Sequence, residues 1–292
     1  MKASSPTPGG AGPRRSRWIA SARSILRKTY LFTFLRGWLV WSSYRAQVGL
    51  TFVSWVVPVF LFFVLAGFLG TSGSSIAALD GGSYVAFFVV GLAFQGFVAN
   101  LVGTLAQRIR SEQMMGTLEQ VFLSPTTPEG VLVYSSVFGV VLNIASAGVI
   151  LAVGWGILGV HFAIDPITVL LASILLAVSS VGLSSIAASF ILWTKQGNPV
   201  ALFFQTFTQF FAGVLFPISV LPGSIRWLSY VVPLTFGLDA LRGGLLANAA
   251  PSAVAPALGA MAAYSVISIP IGLALFRWTL AKVKVEGTVA TY

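Results

Sequence analysis

Six apolar runs dominate this chain, at about residues 47–70, 84–106, 131–159, 167–194, 199–221 and 255–280. Crossing about 30 Å of hydrocarbon as a helix takes around 20 mainly apolar residues, and each run is that long. The third and fourth exceed the minimum, which implies tilt or helix extending past the bilayer. Composition agrees: 57% of residues are hydrophobic, only 8% are charged, and mean hydropathy is +0.91. A soluble domain carries roughly 25% charged residues, so a water-covered fold is excluded. The chain has no cysteine, which excludes disulfides, thiol catalysis and iron–sulfur chemistry.

A net charge of +10 suggests nucleic acid until its placement is read. Nine of the 17 Lys and Arg precede the first run: Lys2, Arg14, Arg15, Arg17, Arg23, Arg27, Lys28, Arg36 and Arg45. With the N-terminus in the cytoplasm and sides alternating, Arg108, Arg110, Lys195, Arg277, Lys282 and Lys284 also fall inside. Only Arg226 and Arg242 fall outside. This asymmetry of 15 to 2 is the positive-inside pattern. It predicts a multi-pass plasma-membrane protein with six spans and both termini cytoplasmic. Basic residues beside anionic lipid account for the charge, and no nucleic-acid partner is expected.

Four segments organise the chain. Residues 1–17 form a basic tail rich in Pro, Gly and Ser, whose composition predicts disorder. Residues 18–46 predict an amphipathic helix in the inner headgroup plane, with Leu31, Phe34, Leu35, Trp38 and Trp41 at helical spacing after a cluster of Arg23, Arg27 and Lys28. Residues 47–281 hold the six spans, and 282–292 a cytoplasmic tail. Pro58 falls midway along the first span and is expected to kink it. Trp155 and Trp227 mark one interface, Trp193 and Trp278 the other. Between the fifth and sixth spans, Phe216 to Ala250 is apolar but broken by Pro217, Pro222 and Pro233. It predicts short outer re-entrant helices rather than further crossings.

The span interiors hold no Asp, Glu, Lys, Arg or His, the groups that proton- and ion-coupled carriers place at membrane depth. His161 is the one histidine, and with Asp165 it makes neither a metal site nor a catalytic pair. No phosphate-binding G-x-x-x-x-G-K-[ST] loop occurs. If ATP drives this protein, another chain binds it.

Arg108 to Pro125, reading RIRSEQMMGTLEQVFLSP, is the amphipathic, charged stretch between spans two and three. Met115, Leu118 and Phe122 share one helical face. Glu112 and Glu119, seven apart, share another, with Gln113 and Gln120 alongside. Such a helix lies on the membrane surface and offers carboxylates to a docked partner; an ordinary solvated loop has the same composition. Gly116 permits close backbone approach.

This stretch resembles the permeases of the ABC type 2 export family, whose second and third spans flank E-x-x-x-G-T-L-E-x-L-x-x-x-P. Glu112, Gly116, Thr117, Leu118, Glu119, Gln120 and Pro125 follow the pattern, and Val121 stands where the family often has Leu. Pro233, Leu234, Thr235, Asp239, Ala240, Leu241 and Arg242 look like the P-L-T-x-x-x-D-A-L-R stretch of its drug- and lipid-exporting branch. The resemblance covers about residue 20 to the C-terminus. It implies an all-α, six-span permease that is not itself an enzyme and works as a homodimer. It implies two copies of a separate ABC ATP-binding subunit, with ATP and Mg held there and no cofactor on this chain. Export of a drug-like, lipid or other amphiphilic substrate, or of polysaccharide, across a bacterial or archaeal plasma membrane would follow. The coupling contact falls on Glu112, Gly116, Thr117, Leu118, Glu119 and Gln120. The alternatives from other classes are a secondary carrier or channel without an ATPase, and a membrane-embedded enzyme.

Candidates for the substrate path are polar groups within apolar runs. Gln205, Thr208 and Gln209 share a face of the fifth run, with Phe203, Phe207, Phe210 and Phe211 around it. Gln95 and Asn100 stand in the second run, Asn143 in the third. Amides at such depth need partners, so hydrogen bonding between helices explains them as well as a substrate does. Ser179, Ser180, Gly182, Ser184 and Ser185 mark close helix packing.

Overall fold

The computed structural model describes residues 38–70, 84–114, 128–194 and 199–285. Among these residues every regular element is a helix. In chain order they are α1 (Leu39–Ser43), α2 (Arg45–Gly70), α3 (Tyr84–Met114), α4 (Pro128–Gly156), α5 (Pro166–Thr194), α6 (Pro199–Phe211), α7 (Gly223–Arg226), α8 (Pro233–Leu246) and α9 (Ala255–Val285). Two 3-10 turns, Ile218–Val220 and Trp227–Val231, flank α7.

Four described helices are long and apolar enough to span a membrane: Tyr84–Gly103 within α3, Phe138–Gly156 within α4, Pro166–Thr194 as α5 and Ala255–Val283 within α9. These match the second, third, fourth and sixth runs. The first run is α2, a helix of 26 residues that continues through Pro58.

The fifth run departs from expectation. It is helical only from Pro199 to Phe211, 13 residues, or about 20 Å at 1.5 Å per residue. Apolar residues continue to Leu221, but the backbone cannot. Gly213 turns at φ 74, a left-handed conformation, and Pro217 follows in extended geometry. Pro222 then caps α7. Of the expected interfacial helix, only 38–46 is described: α1 stops at Tyr44, which leaves helical geometry at φ −96, ψ 79, and α2 starts at the next residue.

α3 is the central helix, and Val89, Val90, Ala93 and Val98 are essentially fully buried. Its neighbours include α4, α5, α6 and α8. The most extensive pairing is α5 with α9. Lipid tails are as apolar as leucine, so what favours such contact in a bilayer is close packing rather than transfer from water. Small residues provide it. A Cβ on Gly182 would meet the Ser268 backbone at 2.5 Å, and one on Gly272 would run into the Gly182 carbonyl. Several hydroxyls along this seam bond backward within their own helices: Ser179 and Ser180 donate to the Leu176 carbonyl, Ser189 to Ser185, and Ser265 to Met261. Ser268 instead reaches across, donating to the Ser179 carbonyl at 3.5 Å. The expected packing role of Ser179, Ser180, Gly182, Ser184 and Ser185 is what the structure shows: all five are buried on α5.

α8 closes one end of the bundle, packed on α5, α9 and α3 with Leu234, Leu238 and Leu241 fully buried. The start of α5 is fastened there. Asp165 accepts from the Thr168 amide at 2.9 Å, capping the helix, while its own amide donates to the Gly244 carbonyl at 2.7 Å. Exposed Trp155 and Trp227 lie at this end, and exposed Trp193 and Trp278 at the other.

Candidate functional site

Three groups of residues came from the sequence, and the structure treats each differently. The charged stretch after the second run begins as the last turns of α3, since that helix continues unbroken through Arg108 to Met114. Glu112 therefore belongs to a long membrane helix rather than to the start of a separate surface helix. Gly116, Thr117, Leu118, Glu119 and Gln120 lie outside the described residues.

The P-L-T and D-A-L-R residues are all on α8. Pro233 is its first residue, where a missing N–H costs nothing. Thr235 is buried and donates its hydroxyl to the Ser229 carbonyl, tying α8 to the preceding 3-10 turn. Asp239 is exposed. Arg242 reaches inward: Nη2 donates to the Gly213 carbonyl at 2.8 Å and the Phe87 carbonyl at 3.2 Å. Its guanidinium carbon lies 3.3 Å from the centroid of the Phe87 ring, a close cation–π contact. Gly91 makes room, because a Cβ there would meet the Val214 carbonyl at 2.7 Å and Arg242 Nη2 at 3.1 Å. Arg242 thus joins α8, the start of α3 and the strap that ends α6. Tyr84 adds a second tie, donating to the Leu215 carbonyl at 2.8 Å.

The third group converges on a cleft. Near the end of the bundle where α3 finishes, a cavity of about 590 Å³ opens between α2, α3, α4 and α6. Asn100, Asn143 and Gln205, three of the residues expected on a substrate path, line it. Trp41, Gln47, Thr51, Trp55, Gly103, Gln107 and Leu142 complete most of the wall. Gln95 is buried elsewhere on α3. Thr208 turns inward to donate to the Gln205 carbonyl at 2.9 Å. Phe207 sits in an aromatic ladder, 5.6 Å from Phe203 and 4.6 Å from Phe211 between ring centroids. Gln209 is half-buried and off the cleft.

Sequence reasoning overlooked Gln47, Thr51, Trp55 and Gln107. A signal was present: Gln47, Thr51 and Trp55 are four apart, as are Gly103 and Gln107, so each set occupies one helical face. Among the described residues, no group of three or more His, Cys, Asp or Glu is placed to hold a metal.

The Asn143 side chain is 4% exposed, and its Nδ2 has no hydrogen-bond partner among the described residues. Its neighbour Ser146 is satisfied, donating to the Asn143 backbone carbonyl at 2.9 Å.

Comparison with known proteins places this architecture. A family model described as "ABC-2 type transporter" matches residues 31–246. The chain is 24% identical over 234 residues to "Inner membrane transport permease YadH" of Escherichia coli (strain K12), covering 78% of this chain and 84% of the relative. Proteins of the same name from Escherichia coli O157:H7 and Shigella flexneri match to the same extent.

Proposed function

The chain belongs to the ABC-2 type transporter family, and from that membership we propose that it is the permease of an ATP-driven exporter, working as a homodimer with two copies of a separate ATP-binding subunit. The observation that carries the reading is the family match over most of a chain built of long apolar helices. ATP and Mg belong to the partner subunit. The substrate is an amphiphile, and the cleft between α2, α3, α4 and α6 is its entry.

The stretch after α3 is the coupling element. Its first residues continue α3, and α3 lines the cleft. Force applied to Glu112, in the last turn of α3, would therefore reach the cleft through that helix; Gly116, Thr117, Leu118, Glu119 and Gln120 complete the proposed coupling contact. ATP can bias access only by binding the two states differently, and a docked subunit that moves α3 does that.

The 15-to-2 distribution of basic residues supports cytoplasmic termini and a cytoplasmic coupling stretch. An impermeant thiol reagent should leave Thr117→Cys unmodified in intact cells; labelling there would overturn the orientation.

The coupling assignment is tested by charge reversal in proteoliposomes holding permease and ATP-binding subunit. Glu119→Lys is expected to insert normally, because exposed charges contribute only about 0–1 kcal/mol to stability. It should abolish substrate-stimulated ATP hydrolysis and export, since a like-charge clash in a partner contact costs several kcal/mol. Glu129→Lys, in the first turn of α4, should matter much less. Export that survives Glu119→Lys but not Glu129→Lys would move the coupling surface. Purification of the tagged permease without any ATP-binding subunit, and export without ATP, would favour a secondary carrier.

A further inference from the structure

We propose that the cleft between α2, α3, α4 and α6 is a binding site for an uncharged amphiphile whose head group both donates and accepts hydrogen bonds. This rests on the reading of the chain as a permease, and names the chemistry that its entry site selects.

Five amides face the cavity: Gln47, Asn100, Gln107, Asn143 and Gln205, one or two from each of four helices. Each amide offers two donor hydrogens and an acceptor oxygen. A hydroxyl or amide group on a ligand also does both, so it can satisfy such a lining where a purely accepting or purely donating group cannot. Asn143 is the most buried of the five. It is more than nine-tenths buried and lines the cavity, with Nδ2 lacking a partner among the described residues. That donor has no surface open to the cavity, so the exposed amides of Gln47, Asn100, Gln107 and Gln205 are the ones a head group meets first.

The lining also sets the charge of the occupant. None of the described side chains lining the cavity is ionised. Among these described side chains a cationic head finds no carboxylate and an anionic head no ammonium or guanidinium, whereas a neutral head group loses nothing by their absence. Trp41 and Trp55, both half-buried, supply broad ring surfaces, and Ala99, Leu142 and Leu202 supply apolar contact for a chain.

Volume argues against a single bound water as the whole answer. A water takes about 30 Å³ of liquid, whereas the cavity is about 590 Å³. That lies within the range of about 300–1,000 Å³ of small-molecule sites.

The test uses permease alone in lipid nanodiscs and three amphiphiles with the same ten-carbon tail. Radiolabelled decanoyl-N-methylglucamide is the uncharged, hydroxyl- and amide-bearing probe; decyltrimethylammonium and decyl sulfate are competitors. After subtraction of empty nanodiscs, the glucamide should bind saturably, and both ions should compete at least tenfold more weakly than unlabelled glucamide. Asn143→Leu and Gln205→Leu should each weaken binding at least fivefold, while Ser265→Ala, on α9 away from the cleft, should not. Gln205 is exposed, so its variant reads the site even if Asn143→Leu folds poorly. Three results overturn the proposal: no saturable binding, equal competition by all three head groups, or wild-type affinity in both cleft variants. A cleft filled by the second copy of the chain would give the first of these. Because no ATP-binding subunit is present, intact binding with no ATP-driven export would remove the exporter reading and leave the site. The reverse pattern would remove the site alone.

Discussion

The α5–α9 seam and the α2–α3–α4–α6 cleft both place polar side chains inside apolar helices, and they do so with opposite chemistry. Along the seam the polar residues are serines, whose short hydroxyls bond back to carbonyls three or four residues earlier. Ser268 adds a bond across the seam to the Ser179 carbonyl, and these short side chains leave surfaces so low that glycine backbones touch. Around the cleft most of the polar residues are longer amides; Thr51 follows the seam's pattern, donating back to the Gln47 carbonyl at 2.7 Å. One of the amides keeps a buried donor unmet. The lesson is to ask of each polar residue in an apolar span whether its own helix can satisfy it. Where it can, the residue is packing; where it cannot, something else must supply the partner.

The largest effect should come from filling the seam. Gly272→Ala puts a methyl into the Gly182 carbonyl, and backbone cannot step aside as a side chain can. Overpacking commonly costs about 1–3 kcal/mol, and with backbone as the obstacle the upper end is expected. Thermal unfolding in nanodiscs should drop sharply, with loss of the folded peak in gel filtration. Gly148→Ala, where a Cβ meets nothing within 4 Å, should be silent. If the two variants melt alike, the seam is not close-packed.

Arg242 comes next. Arg242→Met keeps much of the stem but removes the bonds to Gly213 and Phe87 and the contact with the Phe87 ring. Hydrogen bonds to a charged group are worth about 1.5–3 kcal/mol, so a clear fall in melting temperature is expected, partly restored by Arg242→Lys. Hydrogen exchange should rise first in the strap at 212–217. Unchanged exchange there would show that Arg242 does not hold the end of α6.

Much of this was readable in the chain because apolar length and helical period are local properties. The runs at 47–70, 84–106, 131–159, 167–194 and 255–280 became α2, α3, α4, α5 and α9 with modest changes at their ends. The run at 199–221 misled because hydropathy continues past Phe211 while Gly213 and Pro217 end the helix. The reach of Arg242 to Phe87 spans 155 positions, and no local pattern signals it. The cleft was half legible. Asn100, Asn143 and Gln205 stood out as amides in apolar runs, but Gln47 and Thr51, near the start of the first run, were not singled out. Which of the seven candidates share a space depends on how four helices pack, so Gln95, Phe207, Thr208 and Gln209 could be separated from the rest only in three dimensions.

The distinction between seam and cleft is open to a direct measurement. Melting temperature and glucamide-stimulated ATP hydrolysis are recorded side by side for wild type, Gly182→Ala and Gln205→Leu, each assembled with the ATP-binding subunit. The account predicts that Gly182→Ala melts well below wild type yet keeps stimulation per folded complex, whereas Gln205→Leu melts as wild type and loses most of it. A Gln205→Leu complex that melts early and is still fully stimulated would contradict the account, because the cleft would then be packing like the seam.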